Sequence, residues 1–135
     1  MGRIRYLLPL SALLALQPII GYAGATWTYI SLEANFRCDN GVTTQGYSVY
    51  AVGDRPELGN WDSAKAVRLT PSPSPSPSPS WSGKIKFSNA KPGDVVEWKC
   101  IVRSDSNPSD ATWQTAPNNQ VTMAFNPTPL ATGSF

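Results

Sequence analysis

The sequence predicts an all-β fold, an antiparallel sandwich or distorted open barrel, on three observations. Short apolar segments alternate with polar residues at a period of two, turn signals recur about every ten residues, and no stretch shows helical periodicity. The first element is "ISLEANFRC", in which Ile30, Leu32, Ala34, Phe36 and Cys38 share one face and Ser31, Glu33, Asn35 and Arg37 the other. That is the pattern of a half-buried strand. "DNG" at Asp39 to Gly41 supplies a turn, and "YSVYAVG" from Tyr47 is apolar on both faces, as a central strand requires, until Gly53 stops it. A shorter strand is expected at Ala66 to Leu69.

"KIKF" at Lys84 to Phe87, the turn "KPGD" at Lys91 to Asp94 and "VVEWKCIV" continue the series. In the last of these, Val96, Trp98, Cys100 and Val102 point inward by alternation. The final strand is expected from Gln120, with Val121, Met123 and Phe125 alternating inward. Cys38 and Cys100 both fall on inward parities, so a disulfide between two core strands is the economical reading. One stretch stands apart, the Pro-Ser run over residues 71–80. Proline donates no hydrogen bond and fixes its own φ, so the run is expected to be an extended loop outside the sheet, inserted within one domain because the strands on either side are too few to fold alone.

At the N-terminus, Arg3 and Arg5 precede an apolar stretch that ends in small residues at Ala23 and Ala25, the pattern of a secretory signal peptide over residues 1–25. Cleavage there leaves residues 26–135 as the mature domain and removes two of the eleven Lys and Arg but none of the nine acids, so that domain has no net formal charge. A neutral chain without a Lys/Arg cluster has no electrostatic footprint for nucleic acid or for an anionic membrane, and its partner is expected to be neutral. The sequence has no histidine, which removes the usual general base, the Ser-His and Cys-His pairs and histidine metal ligands. No metal or cofactor is expected. Two carboxylates could in principle hydrolyse a glycoside, but a small sandwich without a deep cleft argues against an enzyme.

The surplus is aromatic, with five tryptophans in 135 residues. Trp98 is core by parity, and Trp27 lies at the N-terminal edge, where packing is the simpler role. Trp61 and Trp113 lie in loop sequences, "GNWD" and "NPSDATWQTAPNN". An indole held on a loop by a rigid scaffold presents a flat apolar face that matches the C–H face of a pyranose, and neighbouring Asn and Lys can bond the hydroxyls at the ring edge. The competing reading is that each caps one end of the core.

"VYAVGDRPELGNWD", followed in order by "WSGKIKF", "KPGDVVEWKCIVR" and "WQTAPNN", resembles the starch-binding domains of carbohydrate-binding module family 20 from about Phe36 to Phe125. The implied fold, an immunoglobulin-like antiparallel β-sandwich or distorted barrel, agrees with the strand reading. By resemblance the stacking pair of a first α-glucan site falls on Trp61 and Trp113, its lysine on Lys99 and its asparagine on Asn118. A second site would use Trp81 and the acid Glu97. The family's tyrosines there are not cleanly matched: one aligns near Gln45, with Tyr47 two positions on, and the other belongs to the loop that the Pro-Ser run replaces. Trp81 also shares strand parity with Ile85 and Phe87, which places it partly in the core. The implied protein is a secreted, monomeric, non-catalytic binder of starch, amylose and cyclodextrin-like α-glucans, either standing alone or as a piece of an amylase. Two other classes remain open, a small secreted glycan hydrolase and an interaction module that kept the fold and lost the sugar.

Overall fold

A computed structural model describes residues 31–73 and 77–135. The expected signal peptide, Ile30 and Trp27 lie outside the described residues. Among the described residues nine strands form two sheets packed as a sandwich, with no closed barrel. The first sheet has the order β4 (Thr70–Pro71), β5 (Trp81–Phe87), β1 (Leu32–Asp39), β9 (Leu130–Ser134). In the second, β3 (Val67–Arg68) pairs with β2 (Tyr47–Gly53), and β2 pairs with β6 (Val95–Ser104). Along its other edge β6 holds β7 (Ala111–Trp113) and β8 (Asn119–Thr122) at different heights.

The alternation in β1 lays Leu32, Ala34, Phe36 and Cys38 into the core, and β1 runs antiparallel to β5 from Leu32 opposite Phe87 to Cys38 opposite Trp81. Val49 and Ala51 of β2 and Val96, Trp98 and Cys100 of β6 face them from the second sheet. Phe36 packs edge-on to Trp98 with ring centroids 4.8 Å apart. The Cys38–Cys100 disulfide joins β1 to β6, with 6.0 Å between Cα atoms, and so ties one sheet to the other.

Several elements differ from expectation. β9 pairs parallel to β1, from Asn35 opposite Leu130 to Asp39 opposite Ser134, and so departs from a wholly antiparallel sandwich. Phe125, expected to point inward, is 67% exposed, because the chain leaves the ladder after Met123 towards Asn126 and Pro127. The strand expected at Ala66 to Leu69 is split. Val67 and Arg68 pair with β2, Leu69 is buried, and Thr70 and Pro71 cross to the other sheet to pair with β5. The Pro-Ser run is therefore not wholly outside the sheet. Pro71 sits opposite Trp81 on an edge strand, where no ladder donor is required of it. The Ser72 N–H donates to the Ser80 carbonyl (2.8 Å) and the Gly41 N–H to the Pro79 carbonyl (2.9 Å). Both ends of the run are pinned.

Candidate functional site

The outer face of the second sheet is set by the same alternation that fills the core. With Val96, Trp98 and Cys100 inward, β6 presents Glu97, Lys99, Ile101 and Arg103 outward, and β2 presents Tyr50 and Val52 beside them. Tyr50, Val52 and Ile101 form a small apolar floor of their own on that face. Trp61 and Trp113 pack on it, both half-buried, with ring centroids 6.5 Å apart and planes inclined at 34°. The two indoles thus form a shallow angled platform.

Trp113 reaches it from the end of β7, opposite Ile101, rather than from a loop as the sequence suggested. Trp61 reaches it through an unusual backbone. Gly59 (φ 80°), Asn60 (φ 51°) and Trp61 (φ 66°) are successive left-handed residues at the end of a 3₁₀ segment over Pro56–Trp61. A left-handed conformation costs a non-glycine residue about 1–2 kcal/mol, so the surroundings must hold it. Leu58 anchors the segment in the core, and a Cβ on Gly59 would stand 2.7 Å from the Lys65 carbonyl. The chain that follows is fixed by Arg103, whose guanidinium donates to the Ser63 carbonyl (2.9 Å), and by the Ser63 hydroxyl, which donates to the Pro108 carbonyl (2.8 Å). Arg103 itself lies over the Tyr50 ring at 4.0 Å and donates to the Tyr50 hydroxyl (3.1 Å), which in turn donates to Asp105 (2.6 Å).

At the other end of the platform the Lys99 ammonium donates to the Gln114 carbonyl (3.3 Å) and to the Ala116 carbonyl. An ammonium has three hydrogens, so one remains for a further acceptor. The Glu97 carboxylate accepts from the Asn118 amide (2.8 Å) and from the Gln120 amide (3.1 Å).

Over residues 31–132 the chain matches the family described as the starch binding domain. It belongs to the starch-binding domain family.

Over 97 residues the domain is 48% identical to a glucan 1,4-alpha-maltotetraohydrolase of Roseateles saccharophilus, a match that spans 69% of this chain and 16% of that protein. It is 43% identical over 103 residues to a cyclomaltodextrin glucanotransferase of Klebsiella oxytoca, spanning 75% of this chain and 14% of that protein. The solved family 20 module of a maltotetraose-forming amylase from Pseudomonas saccharophila STB07 superposes with a TM-score of 0.65 at 46% identity, covering 77% of this chain and all of that one. The family and these structures make the domain a β-sandwich binding module rather than an enzyme.

In this starch-binding domain the structure brings Trp61, Lys99, Trp113 and Asn118 to one face, and it adds Glu97, which the sequence reading had given to a second site. Glu97 and Lys99 are two positions apart on one strand and so share a face; the parity that placed Lys99 outward places Glu97 beside it. The rest of the expected second site is not assembled. Trp81 is only 6% exposed, sits in the other sheet opposite Cys38, and donates its indole N–H to the Gly41 carbonyl (2.8 Å). Tyr47 lies at the far end of β6, opposite Ser104, with its hydroxyl on Asp110. Sequence reasoning also missed Ile101, whose outward parity between Lys99 and Arg103 marked it as floor, and Gln114, for which the sequence carries no signal.

The hydrogen bonds from Asn118, and then from Gln120, hold the Glu97 carboxyl below its ordinary range. A depressed folded-state pKa gives a contribution that is present above the unfolded-state value, about 4.3 for glutamate, and lost as pH falls through the folded value. An NMR titration is accordingly expected to place the Glu97 midpoint below that of an unfolded peptide. Asn118→Ala should move it back up, and an unshifted midpoint in the intact protein would show that this pair does not form in solution.

Proposed function

We propose that this domain holds α-1,4-glucan, whether starch, amylose or a cyclodextrin-like ring, by stacking sugar faces on Trp61 and Trp113 without cleaving it. The observation that carries this reading is the angled indole pair. The inclination suits a chain that curves, as amylose does, better than a flat one. Each indole offers an apolar face at the sheet surface, and the Lys99 ammonium and the Asn118 amide on the same face supply hydrogen-bonding groups for hydroxyls at the ring edge. The second sugar site is withdrawn from this proposal, because its members stand in different sheets and at opposite ends of β6.

Residues 1–25 act as a signal for secretion, residues 26–135 form the binding domain, and the protein works outside the cell as a monomer. The domain matches 13–16% of the length of its curated relatives, which are named for action on α-glucans. A module of this kind raises the local concentration of an attached or partnered amylase at a granule by tethering. The test is retention on raw starch followed by a reducing-sugar assay on the purified protein. Retention without sugar release is expected; release of sugar would identify a hydrolase, and failure to be retained would identify a fold that has lost the ligand.

A further inference from the structure

We propose that Gln114 is the positioning residue of this site, setting both the Lys99 ammonium and the Asn118 loop through a buried amide that replaces a rung of the β-ladder. The proposal rests on the glucan-binding reading above. β7 ends with Trp113 opposite Ile101, and β8 begins with Asn119 opposite Trp98. Between them the chain bulges off the edge of β6. In a regular antiparallel pair, Gln114 and Cys100 would exchange both backbone hydrogen bonds. Only one forms, from the Gln114 N–H to the Cys100 carbonyl (3.0 Å). The Cys100 N–H instead donates to the Gln114 side-chain Oε1 (2.7 Å). The main-chain carbonyl of Gln114 is thereby released, and it accepts from Lys99 Nζ.

The rest of the amide closes the loop. Gln114 Oε1 also accepts from Asn119 Nδ2 (2.9 Å), and Gln114 Nε2 donates to Asn119 Oδ1 (3.1 Å) and to the Pro117 carbonyl (3.3 Å). Two accepted and two donated bonds use the full capacity of a primary amide, at a residue only 4% exposed. A fully satisfied buried network fixes one geometry. The floor of the lock is β9, where a Cβ on Gly133 would lie 2.4 Å from Asn119 Nδ2 and 2.9 Å from Cys100 Sγ. Three ligand-facing groups therefore hang on this one side chain. Trp113 precedes it, Lys99 is braced by its carbonyl, and Asn118 stands between its partners Pro117 and Asn119.

Neither near-isostere of glutamine satisfies the set. Methionine has the length and none of the bonds, and glutamate accepts from Cys100 and Asn119 while setting a carboxylate against two carbonyl oxygens. The experiment compares the intact protein with Gln114→Met, Gln114→Glu and Asn119→Ala, measuring β-cyclodextrin affinity and amide hydrogen exchange. Gln114→Met is expected to weaken binding about tenfold and to speed exchange of the Cys100 amide, which loses its acceptor, while the amides of β1 and β5 keep their protection. On an Asn118→Ala background the same change should cost clearly less, about threefold, because part of what Gln114 positions is already gone. Unchanged affinity in the folded Gln114→Met protein, an equal loss on both backgrounds, or unaltered exchange of the Cys100 amide would each overturn the proposal. Asn119→Ala, which removes two of the four bonds, provides the same tests if Gln114→Met does not fold. Should the intact protein fail to bind β-cyclodextrin, the glucan reading falls and the exchange measurement alone decides the positioning role.

Discussion

Trp61→Ala and Trp113→Ala are each expected to weaken β-cyclodextrin binding by about 10- to 150-fold while the domain remains folded, the range that follows from about 1.5–3 kcal/mol for burying a large apolar side chain. Calorimetric titration measures the loss, and thermal unfolding establishes that the variants fold. Both indoles are half-buried against Tyr50, Val52 and Ile101, so truncation also uncovers that floor. A drop of about 1–2 kcal/mol in stability is expected, smaller than for a core aromatic because the floor lies on the outside of the sheet. The core of Phe36, Phe87 and Trp98 on the opposite face is untouched. Complete unfolding of either variant would show that its indole is a core cap rather than a platform.

Trp61 permits a sharper comparison, because its φ of 66° is costly for any residue but glycine. Trp61→Gly removes the platform and the strain together, whereas Trp61→Ala removes the platform and keeps the strain. The glycine variant is expected to be the more stable of the two by about 1 kcal/mol, with equally poor binding. The wild-type domain accepts that strain in order to aim the indole. Equal stability of the two variants would mean that the left-handed backbone at Trp61 is not maintained in solution.

How far the sequence could be read depends on which physical signal each element leaves. β1, β2 and β6 were legible because two-sided burial and strict alternation follow directly from a period of two. The disulfide was legible because both cysteines carried the inward parity of their strands. β9 was not, since its only fully buried residue is Ala131 and its Gly133 is there to let Asn119 approach, so "LATGS" has no alternation to detect. Phe125 misled in the opposite sense, because it continued a pattern that the backbone had already abandoned. Among the candidate site residues, Trp61, Trp113, Lys99 and Asn118 are named by resemblance and loop chemistry, and the structure sets them on one face. Glu97, given to a second site by resemblance, shares the outward parity of Lys99 and stands beside it. Gln114 left no signal at all, since its role arises only when a side-chain amide stands in for a backbone carbonyl across two strands.

Breaking the Cys38–Cys100 link should have the largest effect on stability. The bridge closes a separation of 62 residues, for which the chain-entropy relation gives about 4 kcal/mol. Set against about 5–15 kcal/mol for a whole domain, the double variant Cys38→Ala/Cys100→Ala is expected to lose much of its margin and to melt about 15–25 °C lower. Differential scanning calorimetry on protein made in an oxidising compartment measures this, with a thiol titration to establish that the parent has no free cysteine. The same variant separates fold from site. Trp61, Lys99, Trp113 and Asn118 stand on the outer face of the second sheet, and the bridge runs through the interior from β1 to β6. The Cys100 backbone N–H that Gln114 holds is unaltered by changing the side chain. At a temperature where the double variant is still folded, its affinity for β-cyclodextrin should therefore stay within about threefold of the parent even as its melting temperature falls, because the substitutions remove only inward-facing atoms and leave that backbone hydrogen bond in place. A loss of affinity as large as that of Trp61→Ala in a demonstrably folded sample would mean that the two sheets set the platform geometry jointly, through the packing of Asn119 against Gly133 of β9, and that the binding face is not carried by its own sheet alone.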